Sequence, residues 1–241
     1  MGGNIETTWE LDVERTVTLD LNGYTLSCSS TDEDIIRVRS SGNLTVKDSG
    51  TNGKIDGQNK NCGFEVKGGT LTLESGSIVN CTDADGDGGA VDVSNTGVTE
   101  TPVKYGKFVM NGGTIKDCKA GDDGAAVDIG MGCTFTMNDG TDQQLQSGGR
   151  RRAVFVKQGG FFVMNAERLK TGSACNNGGA VNIYENGSFT MTGGHNLREL
   201  QGRLGRSRHA VYGKNKRRSL SFLDVRSRTV VYFHGLLMSS Q

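Results

Sequence analysis

The chain has 241 residues, of which 34% are hydrophobic and 6% aromatic, while glycine supplies 37 residues and proline one. This composition excludes a helical bundle, because no apolar stripe of helical period runs for a useful length, and no run reaches the roughly 18 apolar residues of a membrane span. The net charge of zero divides into −11 for residues 1–140 (22 acids, 11 bases) and +11 for residues 141–241 (5 acids, 16 bases).

Short strand patterns follow one another along the chain. Residues 16–27 alternate apolar and polar side chains around Asn22-Gly23, which predicts a strand, a turn and a strand. A unit of three short strands then follows and recurs. The predicted strands of the successive units are 36–38, 44–46 and 54–57; 64–66, 71–73 and 77–79; 91–93, 108–110 and 114–116; and 127–129 with 135–137.

The units have a constant period. Met110, Met137, Met164 and Met191 are each separated by 27 residues, and a phenylalanine stands two residues before each methionine. A fixed period with glycine at the corners predicts an all-β, single-domain, right-handed parallel β-helix with three strands per coil. The phenylalanines at 108, 135, 162 and 189 should then stack inside, because like residues of successive coils lie about 4.8 Å apart. A β-sandwich of hairpins is the alternative, but it does not require a constant period.

The predicted organisation has three parts. Residues 1–15 form an entry segment or cap, residues 16–212 form the solenoid, and residues 213–241 form a poorly ordered basic tail. Residues 94–106, with the only proline, Pro102, lengthen one coil by nine residues and predict a protruding loop. Irregular loops are expected at residues 141–152, 166–178 and 195–209.

Those irregular loops suggest a reading-frame hypothesis. Residues 142–148, read one base forward with suitable codons, give Ile-Ser-Asn-Cys-Lys-Ala, and residues 195–203 give Thr-Ile-Ser-Gly-Asn-Cys-Lys-Ala. Both strings restore the strand pattern of residues 114–120. We therefore hypothesise that these stretches, and residues 213–241, are translated out of frame, which would also explain the basic second half. The coding DNA decides the question.

A column of polar residues is predicted on the outer face of the first strand. Arg37, Glu65, Asp92, Asp128 and Asn182 hold the same position in successive coils, and Phe155 interrupts them. Two carboxylates one coil apart either share a proton or bind a cation, which makes Asp92, Asp128 and Glu65 candidate catalytic residues. A solvated acidic edge is the alternative.

The acidic string Asp83-Ala84-Asp85-Gly86-Asp87-Gly88 begins like a calcium-binding EF-hand loop. Ser94 stands at the twelfth position, where a bidentate glutamate is required, and no flanking helices are predicted, so an EF-hand is excluded. A weak calcium site formed by Asp83, Asp85 and Asp87 is retained as a candidate beside an acidic solenoid corner. No other cofactor is expected.

Other residue types yield fewer candidates. The three histidines (His195, His209 and His234) lie in the segments suspected to be out of frame, so no His-dependent triad or metal site is expected elsewhere. Cys81 and Cys118 share a coil position, which allows either a disulfide or a ladder of reduced thiols. Thr-x-Thr pairs on the second strand are explained better by β-propensity than by ice binding.

The tetrapeptides Gly88-Gly89-Ala90-Val91 and Gly178-Gly179-Ala180-Val181, with the Phe-x-x-Asn strings, carry a family resemblance over residues 16–194. The chain resembles right-handed parallel β-helix repeat proteins of the pectate-lyase-like superfamily, and especially bacterial surface adhesins such as chlamydial polymorphic outer-membrane proteins. Arg151-Arg152 and Thr192 depart from the pattern. The resemblance implies an extracellular or cell-surface location, although residues 1–4 have no signal-peptide character and we expect a piece of a longer exported protein.

The expected function is a non-catalytic structural or adhesive module. The resemblance implies a carbohydrate or a host-cell surface ligand as partner, and neither nucleic acid binding nor membrane insertion is expected. The alternative is a polysaccharide lyase or glycoside hydrolase that acts on an acidic polysaccharide through Asp92, Asp128 and Glu65, because superfamily enzymes use carboxylates, calcium and a basic residue on one sheet face.

Overall fold

The computed structural model describes residues 1–31, 33–84, 86–121, 124–143, 153–165, 181–184, 186–191, 219–224 and 229–234. The described elements are 24 short strands and one 3-10 turn. The first nine strands are β1 (Ile5–Thr7), β2 (Leu11–Val13), β3 (Thr16–Asp20), β4 (Thr25–Cys28), β5 (Asp34–Val38), β6 (Asn43–Lys47), β7 (Lys54–Asp56), β8 (Cys62–Lys67) and β9 (Thr70–Leu73). The others are β10 (Ser77–Val79), β11 (Thr82–Asp83), β12 (Val91–Ser94), β13 (Lys107–Met110), β14 (Thr114–Lys116), β15 (Lys119–Ala120), β16 (Val127–Ile129), β17 (Thr134–Met137), β18 (Thr141–Gln143), β19 (Val154–Val156), β20 (Phe161–Met164), β21 (Val181–Ile183), β22 (Ser188–Met191), β23 (Ser219–Asp224) and β24 (Thr229–His234).

Successive strands belong to three different sheets, so the chain winds as a parallel β-solenoid. Sheet A has the order β1-β4-β7-β10-β14-β18, sheet B the order β2-β5-β8-β12-β16-β19-β21, and sheet C the order β3-β6-β9-β13-β17-β20-β22-β24-β23. Among the described strands, every pair is parallel except β23 with β24. Because hairpins would make antiparallel sheets, the sandwich alternative is wrong and the predicted solenoid is confirmed.

The inner axis is built from ladders of identical side chains. The four predicted phenylalanines stack ring on ring, with centroids 4.7, 4.8 and 4.9 Å apart. Strand alternation places Val91, Val93 and Met110 in the same core with at most 1% exposure. A period of 27 residues therefore produces a continuous column of buried side chains, because each coil places the same side chain over the one below.

The backbone geometry at the corner between sheets A and B explains the Gly-Gly-Ala string. Gly88 and Gly124 occupy equivalent corners with φ of 75° and 68°, a region that favours glycine. The following alanines stack, since Ala90 N donates to Ala126 O at 3.2 Å and both are fully buried. Larger side chains there would push the neighbouring coils apart.

The asparagine of the Phe-x-x-Asn strings forms a second ladder at the corner between sheets C and A. The Nδ2 of Asn165 donates to Asn138 Oδ1 at 2.7 Å, and that of Asn138 donates to Asn111 Oδ1 at 2.8 Å. Asn111 in turn donates to Glu74 Oε1 at 2.9 Å. Side-chain amides thus continue the hydrogen bonding of the sheet where the strand ends.

Both ends of the chain contain described strands. Within the entry segment 1–15, β1 and β2 pair in parallel with β4 and β5, so these residues form part of the first coil. Within the tail 213–241, β24 pairs with β22 and carries β23 beside it.

Several sequence predictions fall on residues that the structure does not describe. They are the loop residues 144–152, 166–178 and 195–209, Asp85, Cys175, Thr192, His195 and His209. At the border of the first loop, β18 pairs with β14 and places Asp142 beside Ile115 in register.

Candidate functional site

The predicted polar column runs along the outer face of sheet B. Register pairs join Arg37 to Glu65, Glu65 to Asp92, and Asp92 to Asp128. The column continues to Phe155, which is the predicted interruption. The register continues from Phe155 to Asn182. The placement deduced from the repeat is therefore confirmed.

Arg37 gathers three carboxylates at the N-terminal end of this column. Its guanidinium lies 2.7 Å from Glu10 Oε2 and 3.3 Å from Asp34 Oδ2, and it donates to Glu65. Burial raises the pKa of Glu10 to about 7, although the charge of Arg37 opposes the shift. Burial likewise raises the pKa of Asp34. One cation among three partly buried acids thus leaves this cluster with a surplus of carboxyl groups.

Lys157 is the centre of a second cluster. Its Nζ lies 2.9 Å from Asp128 Oδ2 and 2.9 Å from Asp87 Oδ2. Asp128 is fully buried although it points away from the core. Burial by itself lowers the pKa of Lys157, but the charge of Asp128 and the bonds to both aspartates raise it above its ordinary value. The ammonium therefore clamps two coils together.

The corner turns between sheets A and B pass close to the backbone of the acid column. A Cβ on Gly88 would lie 2.8 Å from Asp92 Cα, and one on Gly124 would lie 3.0 Å from Asp128 N. These turns fold over sheet B and carry Asp87 to Lys157. The loop 94–106 reaches other residues: Ser40 donates to Glu100 at 2.8 Å, and the ring of Tyr105 packs on Gly132.

Asp92 and Asp128 have the chemistry of a carboxyl pair. Burial and then the charge of Asp128 raise the pKa of Asp92 well above its ordinary value, while Lys157 opposes the shift. An acid of raised pKa beside a carboxylate and a lysine has the components of general acid–base chemistry. However, the carboxylate of Asp128 is closed off from solvent, so a substrate does not reach it in this conformation.

Sequence reasoning missed Lys157, Glu10 and Asp34. Lys157 follows strand β19 directly and stands in register with Gly130, beyond which the same column holds Ser94 and Lys67. Its available signal was this recurring base beside the column of acids. Lysine reaches its partners through a long flexible stem, so repeat position alone does not reveal them.

Two of the calcium-candidate carboxylates have partners in the chain. Asp83 Oδ1 accepts from Gly86 N at 2.8 Å, and Asp87 is held by Lys157. Asp85 lies outside the described residues. In the part of the chain that the structure describes, no group of three or more His, Cys, Asp or Glu side chains is arranged for a metal ion. The calcium site therefore stays a prediction.

Five cysteines are described, and all are buried free thiols: Cys28, Cys62, Cys81, Cys118 and Cys133. Cys118 lies one coil beyond Cys81, since Lys119 N donates to Cys81 O. A hydrogen bond with Cys118 and burial raise the pKa of the Cys81 thiol well above its ordinary value. Of the two alternatives, the structure contains the reduced ladder.

The threonine columns of sheet C follow the predicted register, and Lys107 with Val109 interrupts them as expected.

Among the described residues there is no helix with the length and hydropathy of a membrane-spanning segment. Comparison of the chain with protein-family models, curated proteins and solved structures returned no match.

Proposed function

We propose that the chain is a non-catalytic structural and adhesive module of an exported bacterial surface protein. The observation that carries this proposal is the closed polar column: Arg37 and Lys157 form ion pairs with its acids from within the chain, and Asp128 is fully buried. Such a column joins coils to each other and stiffens the rod. The adhesin-like tetrapeptides support the surface location by resemblance.

The test separates binding from catalysis. The fluorescently labelled chain is added to cultured epithelial cells, and bound protein is measured by flow cytometry, with a heat-unfolded sample as control. In parallel, polygalacturonate is incubated with the chain, and reducing ends and unsaturated products are measured. Saturable cell binding without depolymerisation supports the proposal, while depolymerisation that is lost in Asp128→Asn and retained in Asp139→Asn contradicts it.

A lyase or hydrolase acting on an acidic polysaccharide is the second candidate. The contact of Lys157 with Asp128, together with the raised pKa of Asp92, favours it because an acid, a base and a cation meet at one point. In this reading Asp92 is the proton donor, Asp128 the base, and Glu65 binds substrate beside Lys67, which lies 3.5 Å away. Activity in this case should be lost in both Asp92→Asn and Asp128→Asn.

A further inference from the structure

The exposed apolar side chains beyond the first coil lie along one corner. Of the eight large hydrophobic side chains exposed among the described residues, three belong to the first coil. The other five lie where sheet B passes into sheet C: Val98, Tyr105, Met131, Phe161 and Tyr184, with exposures of 95, 48, 58, 47 and 54%. Single exposed apolar residues are ordinary, but a row of them marks an interaction surface. We call these five residues the B–C ridge.

The ridge runs along the solenoid axis. The Tyr105 ring packs on Gly132, Met131 lies 4.0 Å from the Cβ position of Gly159, and Tyr184 follows one coil later. Val98 projects furthest, on the 3-10 turn Gly97–Thr99, where a Cβ on Gly97 would meet no atom within 4 Å. A row of exposed side chains with a projecting tip fits a flat partner better than a polymer that needs a cleft.

Charge distinguishes the two ends of sheet B. The ridge corner carries Lys104 and Lys107, neither of which forms an ion pair with another described residue, and Lys67 and Lys157 border it. The opposite corner carries the acids of the 83–87 turn. An anionic plane at this corner would therefore meet Lys104 and Lys107 beside apolar side chains, and the one acid of the same loop, Glu100, accepts a hydrogen bond from Ser40.

We propose that the B–C ridge adsorbs to an anionic phospholipid bilayer. Val98, Met131 and Phe161 enter the boundary between headgroups and acyl chains, and the two tyrosines lie at headgroup level. Lys104 and Lys107 pair with lipid phosphates. This adsorption needs no spanning segment, and it names the partner of the adhesive role proposed above, on which it rests.

Vesicle flotation tests the proposal with the full chain. We expect binding to mixed phosphatidylcholine–phosphatidylserine vesicles and little binding to pure phosphatidylcholine. The triple variant Val98→Ser, Met131→Ser, Phe161→Ser should lower the partition coefficient about tenfold or more. Lys104→Gln with Lys107→Gln should lower it about tenfold on the anionic vesicles alone. Trp9→Ser, an exposed apolar residue outside the ridge, is the matched control and should bind like the parent chain.

A second measurement does not depend on a variant that loses vesicle binding. In Trp9→Phe with Val98→Trp, the single tryptophan reports on the loop tip, and its emission should shift to shorter wavelength on anionic vesicles. Absence of parent binding to anionic vesicles, or equal loss in Trp9→Ser and the triple variant, overturns the proposal. Cell binding that survives in the triple variant also overturns it, while leaving the adhesive function standing.

Discussion

At the scale of single residues, the Lys157 clamp illustrates how an outward side chain becomes buried. Asp128 occupies an outward strand position, yet it is fully buried and its carboxylate contacts the ammonium of Lys157. A buried carboxylate is tolerated only when a cation compensates for the lost hydration. Lys157 supplies that compensation for Asp128, and Arg37 supplies it for Glu65.

Removing the clamp should be costly. Lys157→Met leaves the Asp128 charge buried without its ammonium, so we expect a loss of about 2–3 kcal/mol in the free energy of unfolding, reduced because Lys157 is partly exposed. The double variant with Asp128→Asn should recover part of that loss. Urea denaturation measures it, and Lys54→Met, which breaks the more open pair with Asp56, should cost about 1 kcal/mol or less. Equal losses for both lysines would refute the clamp.

The raised pKa of Glu10 predicts that the free energy of unfolding depends on pH. Its pKa is about 7 in the folded chain against an ordinary value of 4.5, so between these pH values the folded state binds more protons than the unfolded state. The free energy of unfolding should therefore fall as pH rises from 4.5 to 7, and Asp92 acts in the same direction.

The test is denaturation across that pH range. Glu10→Gln should flatten the slope, because the substituted amide does not titrate. Asp12→Asn is the control. The hydrogen bond with Arg39 lowers the pKa of Asp12, so the titration of Asp12 changes the free energy of unfolding only at more acidic pH. A slope that is unchanged in Glu10→Gln would contradict the role assigned to this carboxyl.

At the scale of elements, strand β18 shows what the repeat requires. The register column of sheet A runs through Leu26, Ile55, Ile78 and Ile115, and then reaches Asp142. An acid at this position conflicts with an otherwise apolar column. The conflict supports the reading-frame hypothesis, because the restored string places isoleucine at that position.

Asp142→Ile should therefore stabilise the chain by about 2 kcal/mol, by adding an apolar side chain to the column. Gln143→Ser, which makes the neighbouring change of the restored string beside exposed Lys116, should be nearly neutral. Thermal melts followed by circular dichroism measure both. A destabilised Asp142→Ile would show that the column ends at Ile115, whatever the coding DNA reads.

At the scale of the whole molecule, stability should vary along the axis. The strands β1, β2 and β3 each form the edge of a sheet, whereas β8 and β12 have strands on both sides. Edge strands open more easily because their hydrogen bonds and apolar contacts come from one neighbour only. Hydrogen exchange followed by mass spectrometry should find residues 5–20 exchanging much faster than residues 62–67 and 91–94. Equal protection of these segments would contradict the view that each coil is stabilised mainly by its neighbouring coils.

The amino-acid sequence by itself determined the solenoid, the three strands of its central coils and the in-register columns of Phe108 and Asp92. A constant period makes these features readable from the sequence, because every coil places the same residue over its copy in the coil below. Only the tertiary structure decided which outward groups are closed and which are open. Lys157 joins Asp128 to Asp87 across turns far apart in sequence, and five apolar residues from different loops align on one ridge. Such contacts depend on how turns fold over a face, which strand periodicity does not encode.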